Sequence, residues 1–365
     1  MTNAQSPSSD GDVAGFMGDA VPLSAAVLPR LALLATGGTI AGAGTDPAAT
    51  ARYRAGAIGI DRLLAAVPAL AELAVIEAEQ LVNIDSKDMS EAVWLALAKR
   101  ANELLARADI DGLVITHGTD TLEETAYWLH LTLNSDKPVV LTAAMRPATA
   151  LSADGPANLF DAVVLAASPS AIGRGVLVTL GHRIHSARDI AKVNTYALDA
   201  LASPETGVLG WVQDRSVRFE RAALRRHTRQ SEFARRFAGL PGGQSVDVLP
   251  EVALVVSHAL ASRRLVDALV AAGVPGIVVA GTGNGSIHSA IQQALVDAVA
   301  QGVAVVRASR TGAGPVLQGA AAADDIYGFV ASGSLNAYKA RILLTLALLS
   351  GDASPARLKR LFDDY

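Results

Sequence analysis

Two threonines stand on short polar breaks directly after apolar runs, where a hydroxyl could act as a chemical group. Thr39 ends Thr36-Gly37-Gly38-Thr39 after the run 31–35, and Thr119 stands beside Asp120 in His117-Gly118-Thr119-Asp120 after the run 112–116. A threonine hydroxyl is a poor nucleophile until a base takes its proton, so Thr39 needs a Tyr, Lys, His or carboxylate brought close in space. Tyr53 and Lys192 are the candidates in loops. Gly37 and Gly38 would let backbone approach a ligand closely and aim N–H groups at a developing oxyanion. The competing reading of the same residues is that they only form turns and cap helices.

Other chemistries fail on pattern. No Gly-x-x-x-x-Gly-Lys-Ser/Thr occurs, and Gly281-Thr-Gly-Asn-Gly-Ser286 lacks the third glycine of a dinucleotide fingerprint. The Gly-x-Ser-x-Gly elbow of serine hydrolases is missing too. His182 and His185 are loosely spaced, and no carboxylate pattern accompanies them as a metal set would require. The absence of cysteine removes disulfides, thiolate zinc sites and cysteine nucleophiles. With 51% apolar residues and a formal net charge of -4, neither a nucleic-acid surface nor an acidic tail dominates, which leaves a small molecule as the expected partner.

The elements that must position these residues follow a recurring order of apolar run, Gly/Thr/Asp-rich break and helical periodicity, the pattern of a parallel α/β sheet. Ligands of such sheets bind outside the carboxyl ends of the strands, which singles out the loops 36–42, 116–121 and 281–286. Thr121 and Glu124 have capping-box spacing, and Pro156 suits the first turn of a helix over 156–167. In the second half the pattern predicts strands over 252–257, 277–280 and 303–308, helices over 265–272 and 289–300, and a final helix over 337–349. The chain's 365 residues exceed the roughly 250–300 at which single cores stop growing, so two domains are expected. These are a larger N-terminal parallel-sheet domain (30–220) and a smaller C-terminal α/β domain (251–365), joined by a linker (221–250). The linker's Arg221, Arg225, Arg226, Arg229, Arg235 and Arg236 are diluted by Glu220 and Glu232 and read as a solvated connector rather than an anion site. Residues 1–29 hold Asp10, Asp12 and Asp19 with no positive charge before Arg30, so they lack a signal peptide's basic start and read as a disordered leader. No apolar run approaches the ~18–20 residues needed to cross a bilayer, and a soluble, cytoplasmic protein is expected.

The segments Ala35-Thr-Gly-Gly-Thr-Ile-Ala-Gly42 and Ile115-Thr-His-Gly-Thr-Asp-Thr121 resemble, in order and separation, the two signatures of the bacterial L-asparaginase and glutaminase-asparaginase family. The resemblance extends from about Leu31 to Tyr365 through Ala144-Met-Arg-Pro147, Ser152-Ala-Asp-Gly-Pro156, Arg188-Asp189 with Lys192, and Tyr327-Gly-Phe-Val-Ala-Ser332. It implies amide hydrolysis of free L-asparagine through a threonine acyl-enzyme, without a cofactor or metal. It makes Thr39 the nucleophile, Tyr53 its partner on a mobile lid, and Thr119, Asp120 and Lys192 a second catalytic group. Asp120 would pair with the substrate ammonium, Ser86 would receive its carboxylate, and the Ala144 carbonyl would face the amide nitrogen. It further implies a homotetramer of close dimers, each site completed by the partner's smaller domain.

Two features depart from the family pattern. Lys87 follows Ser86 where the family often has Gln or Glu near the ammonium, so the cation would repel it or lean toward a carboxylate. Alanine stands near 321–325 where some members carry a partner-subunit glutamate, for which Asp324 or Asp325 could substitute after a small loop shift; Ser286 stands where other members have Asn or Ser. Competing readings are a broad glutaminase-asparaginase, the asparaginase-like subunit of a tRNA-dependent amidotransferase, and a noncatalytic amino-acid-binding protein.

Overall fold

The computed structural model describes residues 27–238 and 246–365. Almost all of the expected leader, and residues 239–245 of the expected linker, lie outside the described residues. Five strands, β1 (Arg30–Gly37), β2 (Val75–Ile84), β3 (Gly112–Thr116), β4 (Val139–Thr142) and β5 (Val176–Leu180), run parallel in the spatial order β2-β1-β3-β4-β5. Helices α1 (Ile60–Ala65), α2 (Glu91–Ala106), α3 (Leu122–Thr132) and α4 (Gly155–Ala167) lie between them in sequence. The strand order reverses between β1 and β3, which makes the crevice at their carboxyl ends the expected place for a ligand. β3, β4 and β5 are buried throughout, because helices cover both faces and the strands can be continuously apolar.

Beyond β5 the sheet turns antiparallel through β6 (Arg183–Ser186). The two-residue strands β7 (Ala191–Lys192) and β8 (Leu201–Ala202) pair apart from it, and β9 (Gly210–Gln213) and β10 (Ser216–Phe219) extend it past β6. The second sheet is wholly parallel, in the order β11 (Val252–Val256), β12 (Gly276–Gly281), β13 (Ala304–Ser309) and β14 (Phe329–Ala331). Its crossovers are α6 (Arg264–Ala271), α7 (Ser289–Ala300) and α8 (Asp324–Tyr327), and α9 (Ala337–Leu349) and α10 (Pro355–Asp364) follow. The expected α/β architecture of a larger parallel sheet and a smaller C-terminal one is therefore present, the larger sheet carrying an antiparallel margin. α9 packs between the second sheet and α3, so Leu34, Trp128, Val278, Ile342 and Leu346 share one core across both halves.

Three local expectations need correction. Thr121 does not cap α3 with its side chain; its hydroxyl instead donates to the Ser86 carbonyl at 2.7 Å. The chain does not end its helices at 349, since α10 buries Leu358, Leu361 and Phe362 on one face, a spacing the arginine-rich composition obscures. The connector is docked rather than solvated in its described part. Helix α5 (Ala234–Phe237) sets Phe237 edge-on against Trp128 at 5.1 Å, and the Ser231 hydroxyl donates to the Leu131 carbonyl at 2.7 Å. Two of its arginines pair with carboxylates, Arg226 with Asp364 at 3.2 Å and Arg229 with Asp136 at 3.0 Å.

Candidate active site

Strand register brings four loops side by side. Ala35 of β1 lies opposite Thr116 of β3, Thr116 opposite Thr142 of β4, and Gly37 opposite Ile84 of β2. The segments carrying Thr39, Thr119, Ala144 and Ser86 therefore leave neighbouring carboxyl ends. Glycine lets them touch. Gly38 has φ 79° and a Cβ there would stand 2.4 Å from the Gly118 Cα, while a Cβ on Gly118 would stand 2.5 Å from the Ser86 Oγ. The Gly38 N–H donates to the Ile84 carbonyl at 2.8 Å, so it is not aimed at an oxyanion as expected. Close packing of three loops is what these glycines provide.

Thr39 opens a single 3-10 turn, Thr39–Ala41, and is buried. Its Oγ1 lies 2.7 Å from the Tyr53 hydroxyl. Tyr53 comes from the segment 43–59, which is tied to the Thr39 loop by Gly56 N–H to the Gly38 carbonyl (3.0 Å) and Ile58 N–H to the Ala41 carbonyl (2.9 Å). The tyrosine ring lies over Gly42, where a Cβ would come 2.8 Å from Tyr53 Cδ2. Gly42 has φ -83°, a conformation alanine accepts, but a Cβ there would also come 2.9 Å from the Thr39 carbonyl oxygen, so Gly42→Ala must displace both the ring and the Thr39 backbone. The expected result is a fall in kcat of about 10- to 100-fold from lost alignment, with a lower unfolding temperature from the crowded Thr39 turn. Wild-type kcat in that variant would show that the Thr39–Tyr53 contact is dispensable.

A second hydroxyl is paired on the loop that follows the neighbouring strand β3. Lys192 Nζ donates to Thr119 Oγ1 at 2.9 Å and pairs with Asp120 Oδ1 at 2.5 Å. Thr119 is buried, whereas the Asp120 side chain is half-exposed and open to a ligand. An ammonium bonded to a hydroxyl oxygen favours the alkoxide. Ser86 is buried with no hydrogen-bond partner for its Oγ among the described residues. Ala144 is fully buried beside the turn in which Met145 and Arg146 N–H groups each donate to Asp154 at 2.9 Å.

Not every candidate joins this cluster. Lys87 is exposed and leans onto Asp88 (2.6 Å) and Asp85 (3.6 Å), its hydrogen bond to Asp88 raising its pKa most. Ser286 lies on the β12–α7 loop, at the carboxyl edge of the other sheet, with its backbone paired to Thr282 at 2.9 and 2.8 Å. His117 is fully buried, and burial lowers its pKa to about 4, so it is neutral and its Nδ1 lies 2.7 Å from the Gly118 carbonyl. His182 Nδ1 meets Asp161 at 2.8 Å and His185 Nδ1 meets Ser203 Oγ at 2.9 Å, so the two rings serve separate partners. Glu123, which no motif singles out, accepts the Lys192 backbone N–H at 3.0 Å; an acid two residues beyond a helix-start threonine was its only signal.

Comparison with known proteins matches residues 30–225 to the Asparaginase, N-terminal family and residues 251–362 to the Glutaminase/Asparaginase C-terminal domain. L-asparaginase 2 of Bacillus subtilis (strain 168) is 45% identical over 338 residues, 93% of this chain and 87% of that protein. Glutaminase-asparaginase of Pseudomonas fluorescens biotype A is 42% identical, over 93% of this chain and 91% of that protein. The crystal structure of the probable cytoplasmic L-asparaginase from Campylobacter jejuni is similar with a TM-score of 0.87 at 44% identity, covering 92% of this chain and all 100% of that one.

Proposed function

The chain belongs to the asparaginase family, and from that premise we propose that it hydrolyses the side-chain amide of free L-asparagine to L-aspartate and ammonia, with Thr39 as nucleophile. The observation that carries this reading is the 2.7 Å contact of the Thr39 and Tyr53 hydroxyls, beside a second hydroxyl held by Lys192. Tyr53 relays the proton: its hydroxyl takes the Thr39 proton as Oγ1 attacks the amide carbon and hands its own to the amide nitrogen, so that the C–N bond breaks and the nitrogen leaves as ammonia. Water, activated at Thr119 by Lys192, then attacks the ester carbon; its oxygen completes the aspartate carboxyl group, the bond from the acyl carbon to Thr39 Oγ1 breaks, and a proton from that water restores the Thr39 hydroxyl. Asp120 holds the substrate ammonium, Ser86 its carboxylate, and the Ala144 carbonyl faces the amide nitrogen. No cofactor or metal enters these steps.

Asparagine is expected to be strongly preferred over glutamine. Glutamine is one methylene longer, which by itself yields only ~10- to 200-fold discrimination, so the preference rests on how firmly Asp120 positions the charged end. Ammonia release measured side by side on L-Asn, L-Gln, D-Asn and peptide-embedded Asn tests the whole reading. Comparable efficiency on L-Asn and L-Gln would favour a glutaminase-asparaginase, the name of the Pseudomonas fluorescens relative. No release from any of them would leave a noncatalytic binding protein. Lys87→Gln should raise glutamine turnover relative to asparagine by only about 2- to 5-fold, because Asp85 and Asp88 already offset this exposed charge.

The same reading takes the chain as domains 30–220 and 251–365 about a connector at 221–250, assembled as a homotetramer of close dimers. Val193 (52% exposed) and Tyr338 (49%), which line the same cavities as Lys192, and the exposed Tyr196 (72%) four positions along the chain from it support a partner surface there. Sedimentation would give the assembly. A cytoplasmic location agrees with the name of the Campylobacter jejuni relative. Among the described residues no helix is long and apolar enough to cross a membrane.

A further inference from the structure

Lys192 ends a stretch whose only regular structure is the two-residue strand β7, yet its Nζ must meet both Thr119 and Asp120. Two buried side chains hold this stretch. Glu123, in the first turn of α3, accepts the Lys192 N–H at 3.0 Å through one carboxylate oxygen, and through the other accepts the Asn336 amide at 3.3 Å. Lys339, in the first turn of α9, donates its ammonium to the carbonyls of Arg188 (2.8 Å) and Ile190. Asn336 caps α9 by accepting the Lys339 N–H at 3.0 Å. The four residues thus close a ring from the second sheet's helix α9, through the backbone of 188–192, to α3.

Packing alone does not explain this arrangement. Lys339 is 2% exposed on a helix whose other buried positions are almost all Ala, Leu or Ile, and a buried ammonium costs several kcal/mol unless its hydrogen bonds and a counter-charge compensate. Burial lowers the Lys339 pKa to about 8 against the opposing pull of Glu123, and burial raises that of Glu123 against the opposing charge of Lys339. A methionine would fill the same volume without that cost. What the lysine adds is two donors aimed at the loop that ends in Lys192.

We propose that Lys339 and Glu123 are positioning residues for Lys192, fixing the backbone of 188–192 so that the ammonium reaches Thr119, and thereby making the second hydroxyl group depend on the docking of α9. This rests on the role proposed for Lys192. Neither residue need touch substrate, so their removal should act on turnover more than on binding.

The test uses full-length Lys339→Met, Glu123→Ala and Lys192→Ala enzymes, and each of the first two combined with Lys192→Ala. Lys339→Met is expected to lower kcat about 10- to 100-fold while KM stays within about threefold. In the Lys192→Ala background the same change should leave the residual kcat unaltered, because the group it positions is gone. A folded Lys339→Met enzyme with wild-type kcat would overturn the proposal, as would an equal fractional loss in both backgrounds, which marks a general structural effect. Glu123→Ala gives the same two readings should Lys339→Met fail to fold, since it removes buried volume and charge. If Lys192→Ala itself retains full ammonia release, the reading of Lys192 falls; if only the Lys339 and Glu123 variants are wild-type, the positioning proposal alone falls.

Discussion

Thr39→Ala is expected to abolish ammonia release while leaving the fold and the binding of aspartate in place. The change deletes one hydroxyl and one methyl from a buried position, and the turn around it is held by backbone bonds, including Gly42 N–H to the Thr39 carbonyl at 2.8 Å. The one side-chain hydrogen bond lost is the 2.7 Å contact with Tyr53, worth about 1 kcal/mol of stability. Turnover loses far more, because without an attacking oxygen no acyl-enzyme forms, and nucleophile deletions in comparable acyl-transfer enzymes cost on the order of 10⁶-fold. Thr119→Val should behave likewise, its Lys192 left paired to Asp120 alone. Ammonia release, calorimetric titration with aspartate and thermal unfolding separate the effects. Near-wild-type release by either purified variant would sink the roles given to the threonines.

The threonines are legible because their signals are local. A fully buried parallel strand must be a continuous apolar run, and the polar break after it marks the edge where ligands bind, so Thr39 and Thr119 can be singled out before any contact is known. Their partners are set by tertiary packing and carry no such mark. Tyr53 and Lys192 are two of many loop residues until the family resemblance selects them, and the contacts that join them to Thr39 and Thr119 span 14 and 73 positions. Glu123, Asn336 and Lys339 are less visible still, since a lysine at the start of an apolar helix reads as an exposed cap until α9 docks on α3. The antiparallel margin β6, β9 and β10 was hidden for another reason: strands of four residues are too short for alternation to stand out. The connector's Phe233 and Phe237 fill individual notches rather than a face, so they leave no period to read.

The largest stability effect is expected at Arg307, in a part of the molecule where no catalytic motif lies. Its guanidinium forks onto Asp324 at 2.8 and 2.5 Å, and both side chains are wholly buried. The remaining donors reach the carbonyls of Asn284 (2.6 Å) and Leu317 (2.8 Å), while Asp324 also accepts the Gly319 N–H at 2.7 Å. One residue of β13 thereby fixes the loop that carries Ser286 and the alanine-rich loop that precedes α8, the two segments at the carboxyl edge of the second sheet. Arg307→Ala strands a buried carboxylate and two carbonyls, which should cost about 3–5 kcal/mol, whereas deleting both charges at once removes the unpaired ion. Arg307→Met with Asp324→Leu should therefore recover part of the loss, the carbonyls of Asn284 and Leu317 and the Gly319 N–H remaining unpaired. Urea unfolding of Arg307→Met, Asp324→Leu and the double variant gives the coupling directly. If Arg307→Ala shifts stability by less than about 1 kcal/mol, or if the single losses simply add in the double variant, the pair is not the tie that holds these loops. A coupling of several kcal/mol would mean that the Ser286 loop keeps its shape through a charge no substrate ever meets.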